Sequence, residues 1–175
     1  MDLIIKKVSK EEIDRVMVII NDAKKLLSKD SLQWQQGYPN KEVMLLDISN
    51  NHLYGAYDNG VLIAVVALVD GVNINYTEIY EGSWIDPVSE KDLVIHRIAV
   101  KEEYHGKKIG KLLMDFAEEY AKENGFISIK VDTHTKNKAM QKLCTNNDYS
   151  YRGIIYLKRD EVDNSRIAFE KVVKK

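Results

Sequence analysis

His105-Gly106-Lys107-Lys108-Ile109-Gly110-Lys111 stands between two apolar stretches of different period. Before it runs Leu93-Val94-Ile95-His96-Arg97-Ile98-Ala99-Val100, which reads as a strand. After it, Ile109, Leu112, Leu113, Phe116, Ala117, Tyr120 and Ala121 follow the i, i+3, i+4, i+7 spacing of one helical face. A helix starting here exposes unpaired N–H groups and the positive end of its dipole, and both attract anions. Gly106 and Gly110 let the backbone come close to a ligand, while Lys107, Lys108 and Lys111 add positive charge. That combination suits a pyrophosphate. It also suits an ordinary strand–turn–helix with solvated lysines, so other evidence has to separate the two.

Two rival phosphate motifs fail. A Walker A loop needs G-x-x-x-x-G-K-S/T, but Gly106 and Gly110 are too close and Leu112 follows Lys111, leaving no hydroxyl for magnesium. A Rossmann fingerprint needs a third glycine that is missing here.

With 175 residues, the sequence is expected to form a single domain, 1–175, with a substantial core. Its 45% hydrophobic and 30% charged content is that of a globular protein. A net charge of −1 argues against nucleic acid as the main partner. The single cysteine, Cys144, excludes an internal disulfide and fits a reducing compartment. Residues 3–8 are too short for a signal and residues 61–69 too short to span a membrane, so a cytoplasmic location is expected.

Residues 3–8 read as a first strand. Ser9 and Glu12 form a capping box for a helix striped by Ile13, Val16, Met17, Ile20, Ala23 and Leu27. Residues 28–39 break the period, and Asn40 can cap a second helix to about Ile48. Strands at 53–57 and 61–69 flank Asp58-Asn59-Gly60, a strong hairpin signal. Residues 72–92 are irregular, aromatic and acidic. Asn124-Gly125 stops the long helix. A strand at 126–131, a helix from Asn137 to about Asn146 and strands at 151–157 and 166–172, an antiparallel pair, complete the chain. The order β-α-α-β-β-β-α-β-α-β-β is mixed α/β.

This order, with the glycine loop after the fourth strand, resembles the GNAT superfamily of N-acetyltransferases. That family carries Gln/Arg-x-x-Gly-x-Gly/Ala after a strand ending in a Leu-x-Val-like triplet. Here Ile98-Ala99-Val100 stands for the triplet and His105 to Gly110 for the loop. A second family segment, N-x-x-A-x-x-L-Y-x-x-x-G-F, is matched by Asn137, Met140, Leu143, Cys144, Asp148 and Tyr149. The departures are specific. His105 replaces Gln or Arg, and Lys108 replaces the first glycine, which is tolerable if position 108 has ordinary helical dihedrals. Cys144 replaces the tyrosine that often protonates the leaving thiolate, and Asp148-Tyr149 replaces Gly-Phe.

The resemblance implies a mostly antiparallel central sheet with flanking helices, and acetyl-CoA as co-substrate with no metal. It places acetyl-CoA on Ile98, Ala99 and Val100, with the backbone of Ile98 and Val100 pairing with the pantetheine arm. The N–H groups of His105, Gly106, Lys107, Lys108, Ile109, Gly110 and Lys111 would hold the pyrophosphate, and Asn137 would contact the cofactor near the thioester. The partners it implies are acetyl-CoA and an amine acceptor; neither nucleic acid nor a membrane is expected, and a homodimer is left open.

Acetyl transfer to an amine requires removing a proton from a group of pKa about 10.4, stabilising an oxyanion and releasing a thiolate. His96 is the leading base, because strand alternation puts it on the face of Ile98 and Val100. Val94, near where many relatives carry a glutamate base, cannot serve. His134, ending the next strand, is a second candidate, and Arg97 should face away from His96 for structural pairing. Cys144, with an ordinary pKa of about 8.5, is a candidate acid, although a buried helical cysteine more often packs. Trp34, Tyr38, Tyr80 and Trp84 in the irregular regions could contact a cationic acceptor. A non-catalytic acyl-CoA-binding or sensor module is the alternative, and the missing tyrosine at Cys144 mildly favours it.

Overall fold

The computed structural model describes residues 1–31, 33–159 and 162–175. The chain falls into two compact units. The first comprises Met1–Leu68 and His96–Phe116, the second Val69–Ile95 and Ala117–Lys175.

The first unit opens with β1 (Leu3–Lys7) and α1 (Ile13–Leu27), separated by a single 3-10 turn at Lys10–Glu12. The capping box forms: the Ser9 N–H donates to the Glu12 carboxylate at 3.1 Å. α1 buries Val16, Ile19, Ile20 and Ala23. Ile19 lies outside the expected stripe because the buried face is wider than the minimal period. The irregular stretch 28–39 follows as expected, and Leu32 within it lies outside the described residues. α2 (Lys41–Ser49) is capped by Asn40, whose side chain accepts from the Val43 N–H at 2.9 Å.

β2 (Leu53–Asp58) and β3 (Val61–Asp70) form the expected hairpin. Asn59 (φ +49°) and Gly60 (φ +84°) are both left-handed, as a tight two-residue turn requires. Within this unit the strand order is β1-β2-β3, then the second half of β4 (Asp92–Val100). β1 and β2 pair antiparallel, as do β2 and β3. The core packs Val16, Ile19 and Ile20 of α1 and Met44 of α2 against Leu53, Tyr57, Val65, Ala67 and Ala99.

In the second unit the first half of β4 pairs parallel with β5 (Ser128–Thr133), which is antiparallel to β7 (Ser165–Val172); β7 in turn pairs antiparallel with β6 (Ser150–Tyr156). β5 begins two residues later than expected. The Phe126 N–H instead closes the end of the preceding helix on the Ala121 carbonyl, at 3.0 Å. α3 (Ile109–Glu123) runs from the first unit into the second and buries Ile109, Leu113, Met114, Ala117 and Ala121. α4 (Lys138–Asn146) is capped by Asn137. The observed order of elements is the expected one, mixed α/β with mostly antiparallel strands. Among the described residues, no helix is long and apolar enough to cross a membrane.

Candidate functional site

Three local features shape the stretch from β4 to α3. The parallel ladder from β4 to β5 covers only Asp92, Leu93 and Val94, although β4 continues to Val100. Arg97 then takes a left-handed backbone, φ +47°. Beyond β4, a 3-10 turn at Glu102–Tyr104 leads through Gly106 (φ +77°) and Lys108 (φ +61°) into α3.

The turn before α3 is braced on its own unit. The Glu102 N–H donates to Asp22 at 3.0 Å, and the Tyr104 hydroxyl donates to Asp58 at 2.9 Å. The His105 ring, through Nε2, bonds the Val100 carbonyl at 2.8 Å, tying the loop to the end of β4. A Cβ built on Gly106 would meet nothing within 4 Å, so its backbone is open to a ligand. These observations fit the diphosphate of acetyl-CoA: left-handed turns deliver the free first-turn N–H groups of a 15-residue helix beside lysines.

Several details correct the sequence reading. The His105 and Lys107 N–H groups donate to the Glu102 and Tyr104 carbonyls, so the N–H groups offered to an anion narrow to Gly106 and the stretch from Lys108 to Lys111. Lys111 is paired with Asp115 at 2.7 Å, and Lys107 lies over the Tyr104 ring at 4.9 Å. Lys108, in place of the family glycine, does not have helical dihedrals. It adopts the left-handed conformation that glycine would adopt freely. Asp148, in place of the second family glycine, is likewise left-handed, at φ +66°.

The left-handed Arg97 also breaks the regular alternation by which His96 was placed on the face of Ile98 and Val100. His96 is half-buried. Arg97 does pair structurally. Its Nε and Nη2 donate to Asp47 at 2.5 and 2.7 Å, and its Nη1 donates to the Tyr38 hydroxyl at 2.8 Å. Burial opposes the guanidinium charge, but the Asp47 hydrogen bond, the Tyr38 hydroxyl and the Asp47 carboxylate charge outweigh it and hold its pKa above the ordinary value.

The second unit holds the other candidates. His134 is buried with both ring nitrogens engaged: Nδ1 accepts from the Lys136 N–H at 3.1 Å, so Nε2 carries the hydrogen shared with Asp163 at 2.6 Å. That hydrogen bond holds the Asp163 carboxyl below its usual range. Cys144 is fully buried in α4, and burial, with Asp132 nearby, pushes its thiol up to about 12. The pKa match that would suit it to protonate a thiolate is lost. The Asn137 carbonyl oxygen is committed to capping α4, accepting from the Met140 N–H at 3.1 Å.

The four aromatic candidates are engaged separately. Tyr38 holds Arg97, and Trp34 packs on the core of the first unit. Trp84 packs on Tyr76 at 5.3 Å and donates its indole N–H to the Tyr76 carbonyl. Tyr80 bridges β6 at Ile154 and is 47% exposed, its hydroxyl donating to Glu78 at 3.0 Å.

Sequence reasoning missed a buried ionic network in the second unit. Lys130 Nζ donates to Asp92 at 2.7 Å and to the Ser128 hydroxyl at 3.1 Å, and it lies 3.6 Å from Glu170. Glu170 also accepts from the Ser128 hydroxyl and from the N–H groups of Ile85 and Asp86. The network pins the irregular stretch at 85–86 to β7.

A mixed sheet whose fourth strand carries a left-handed bend and leads through a lysine-flanked turn to a helix start is the architecture that the family resemblance implies for an acetyltransferase. The acetyltransferase (GNAT) family model matches residues 20–148, and the chain belongs to that family. A GNAT-family acetyltransferase from Streptococcus agalactiae is 31% identical, with a TM-score of 0.87 over 99% of this chain and 96% of that one. The PaiA N-acetyltransferase of Thermoplasma acidophilum, solved with coenzyme A, is 21% identical, with a TM-score of 0.71 over 98% and 99%. The ribosomal-protein-S18-alanine N-acetyltransferase of Escherichia coli shares the fold at 11% identity, with a TM-score of 0.69 over 99% and 96%. No curated protein sequence matches.

Proposed function

We propose that this protein moves an acetyl group from acetyl-CoA directly to a primary amine of a small molecule or peptide. The observation that carries this reading is the bare first turn of α3 behind left-handed Gly106 and Lys108. Acetyl-CoA supplies the thioester: the amine nitrogen–carbonyl carbon bond forms as the carbon–sulfur bond breaks. The N–H groups of Gly106 and of Lys108 to Lys111 bind the pyrophosphate. The backbone of Ile98, Ala99 and Val100 pairs with the pantetheine arm, and an N–H of that stretch donates to the developing oxyanion. Asn137, at the start of α4, is the proposed side-chain contact to the cofactor near the thioester.

His96, half-buried in β4 next to the bend at Arg97 and two residues before the proposed acyl-arm strand, takes the ammonium proton, which at pH 7 leaves only about one amine in a few thousand neutral without help. His134, locked at both nitrogens, and Cys144, with its raised pKa, are assigned no proton transfer, and the thiolate leaves to solvent. Exposed Tyr80 with Glu78 supplies an anionic, aromatic contact for a cationic amine.

The test is a panel of polyamines, amino acids, peptide N-termini and aminoglycosides, with thiol release from acetyl-CoA followed for each. Turnover with one class, well above the hydrolysis background, is expected. If acetyl-CoA stabilises the protein but no amine accelerates thiol release, the chain is an acyl-CoA sensor instead.

A further inference from the structure

β4 changes hand at Arg97, a position where a large non-glycine side chain rarely takes φ +47°. The surroundings of that side chain explain how the conformation persists. The fork of the guanidinium is closed on both oxygens of Asp47, and its remaining terminal nitrogen is closed on the Tyr38 hydroxyl. Asp47 and Arg97 side chains are only 7% and 12% exposed. Asp47 sits in α2, anchored by the Asn40 cap at one end and by the His52 N–H on its own carbonyl at 2.9 Å. Further along the strand, Ala99 is buried in the core of the first unit, and the Lys101 N–H donates to the Ile63 carbonyl at 2.8 Å. Residues 97, 99 and 101 are thus each fixed from within the first unit, and Ile98 and Val100 lie between them.

We propose that the Asp47–Arg97 pair is a positioning clamp: it holds residue 97 in the left-handed conformation and thereby aims the backbone of Ile98, Ala99 and Val100 at the acyl-CoA arm. This role rests on the acetyl-CoA assignment above. Arg97 touches neither substrate in this scheme and acts through the backbone that follows it. Without the clamp, an ordinary residue at 97 prefers the extended conformation by an amount that lowers the binding-competent fraction about five- to thirtyfold, and apparent affinity falls by the same factor.

The experiment measures acetyl-CoA affinity by calorimetry, steady-state KM and kcat, and the melting temperature for wild type and three variants. Asp47→Asn should bind acetyl-CoA about five- to thirtyfold more weakly, the loss appearing in KM for acetyl-CoA more than in kcat. Asp47→Asn/Arg97→Gly should recover to within about threefold of wild type, because glycine takes positive φ without a clamp. Asp47→Asn/Arg97→Val should bind more weakly than either, because a β-branched residue resists that conformation. A clamp that serves stability alone predicts lower melting temperatures with unchanged affinity, and that result overturns the proposal. So does equal affinity in the Gly and Val variants. If the Val variant does not fold, failure of Gly to improve on Asp47→Asn overturns it equally. A wild-type protein that does not bind acetyl-CoA overturns the cofactor assignment itself, which the variant series then cannot rescue.

Discussion

Replacing Gly110 by aspartate separates the anion site from the fold that carries it. Gly110 is the second residue of α3, half-buried in its first turn. A helical side chain there leans back toward the N-terminus, so the new carboxylate points at the proposed pyrophosphate. Acetyl-CoA at about 100 times its dissociation constant should stabilise the wild type by about 2.7 kcal/mol. For a chain of this length each kcal/mol moves Tm by about 2–4 °C, giving a shift of about 5–11 °C. A carboxylate about 4–5 Å from one phosphate charge, at an effective dielectric near 20, repels it by about 3–4 kcal/mol. At the same ligand concentration the remaining stabilisation is then at most about 0.3 kcal/mol, a shift of about 1 °C. The unliganded variant should not lose stability through this charge, because an acid in the first turn interacts favourably with the dipole by about 0.3–1 kcal/mol. Gly110→Ala is the matched control. It relieves the glycine penalty of about 0.5–1 kcal/mol within a helix and should keep the ligand shift. Differential scanning fluorimetry of the three proteins, with and without acetyl-CoA, reads all of this. A full shift in Gly110→Asp would place the anion elsewhere.

Three further outcomes are expected. His96→Ala should lower turnover on the true acceptor by about two to four orders of magnitude while acetyl-CoA affinity stays nearly intact; wild-type turnover would make the residue structural. Cys144→Ala should leave single-turnover acetyl transfer within a few-fold of wild type and lower Tm, whereas Cys144→Tyr should overfill the site and cost about 1–3 kcal/mol; slow transfer in a stable Cys144→Ala protein would restore the acid role. Lys130→Met should destabilise by about 3–5 kcal/mol near pH 8, because it strands buried carboxylates. Burial already raises the Asp92 carboxyl above its usual range, against the opposing pull of Lys130. The folded state therefore holds that proton more tightly than the unfolded chain, stability falls as pH rises through the interval above about 4, and losing Lys130 widens the interval. The deficit in urea denaturation should shrink from pH 8 toward pH 5, and an equal deficit at every pH would refute this account.

What the sequence made legible was local. Asn40 and Asn137 announce helix starts because a cap is a bond between residues three apart. Asn59-Gly60 announces the hairpin because both positions need positive φ. The turn before Ile109 was readable from its glycines and from the helical spacing that follows, but not the left-handed backbone at Lys108. Readings that depended on distant neighbours fared worse. Lys130 drew no reading at all, because only Asp92 and Glu170, about 40 positions away on either side, mark it as a buried cation. His134 and Cys144 have the right chemistry by residue type, but their usefulness depends on burial and on Lys136, Asp163 and Asp132, which no local pattern displays.

The left-handed backbone at Arg97, Lys108 and Asp148 is the sharpest instance, because none of these residues signals positive φ as glycine would. Arg97 and Asp148 keep the conformation by different means. Arg97 is held by a buried bidentate partner, Asp47. Asp148 belongs to the short polar residues that visit this region most readily, and its N–H closes on the Thr145 carbonyl at 3.2 Å. Lys108 is exposed and its side chain makes no hydrogen bond or ion pair among the described residues, so it takes the conformation with no such compensation. Conformations this costly gather where backbone direction matters to function. Arg97 and Lys108 bracket the ten residues that carry the proposed acyl-arm strand and the turn leading to the anion site. Lys108 stands where the family motif carries glycine and takes the left-handed backbone that glycine adopts freely, which is the pattern expected if the direction of those N–H groups, rather than the identity of the residue, is what binding requires.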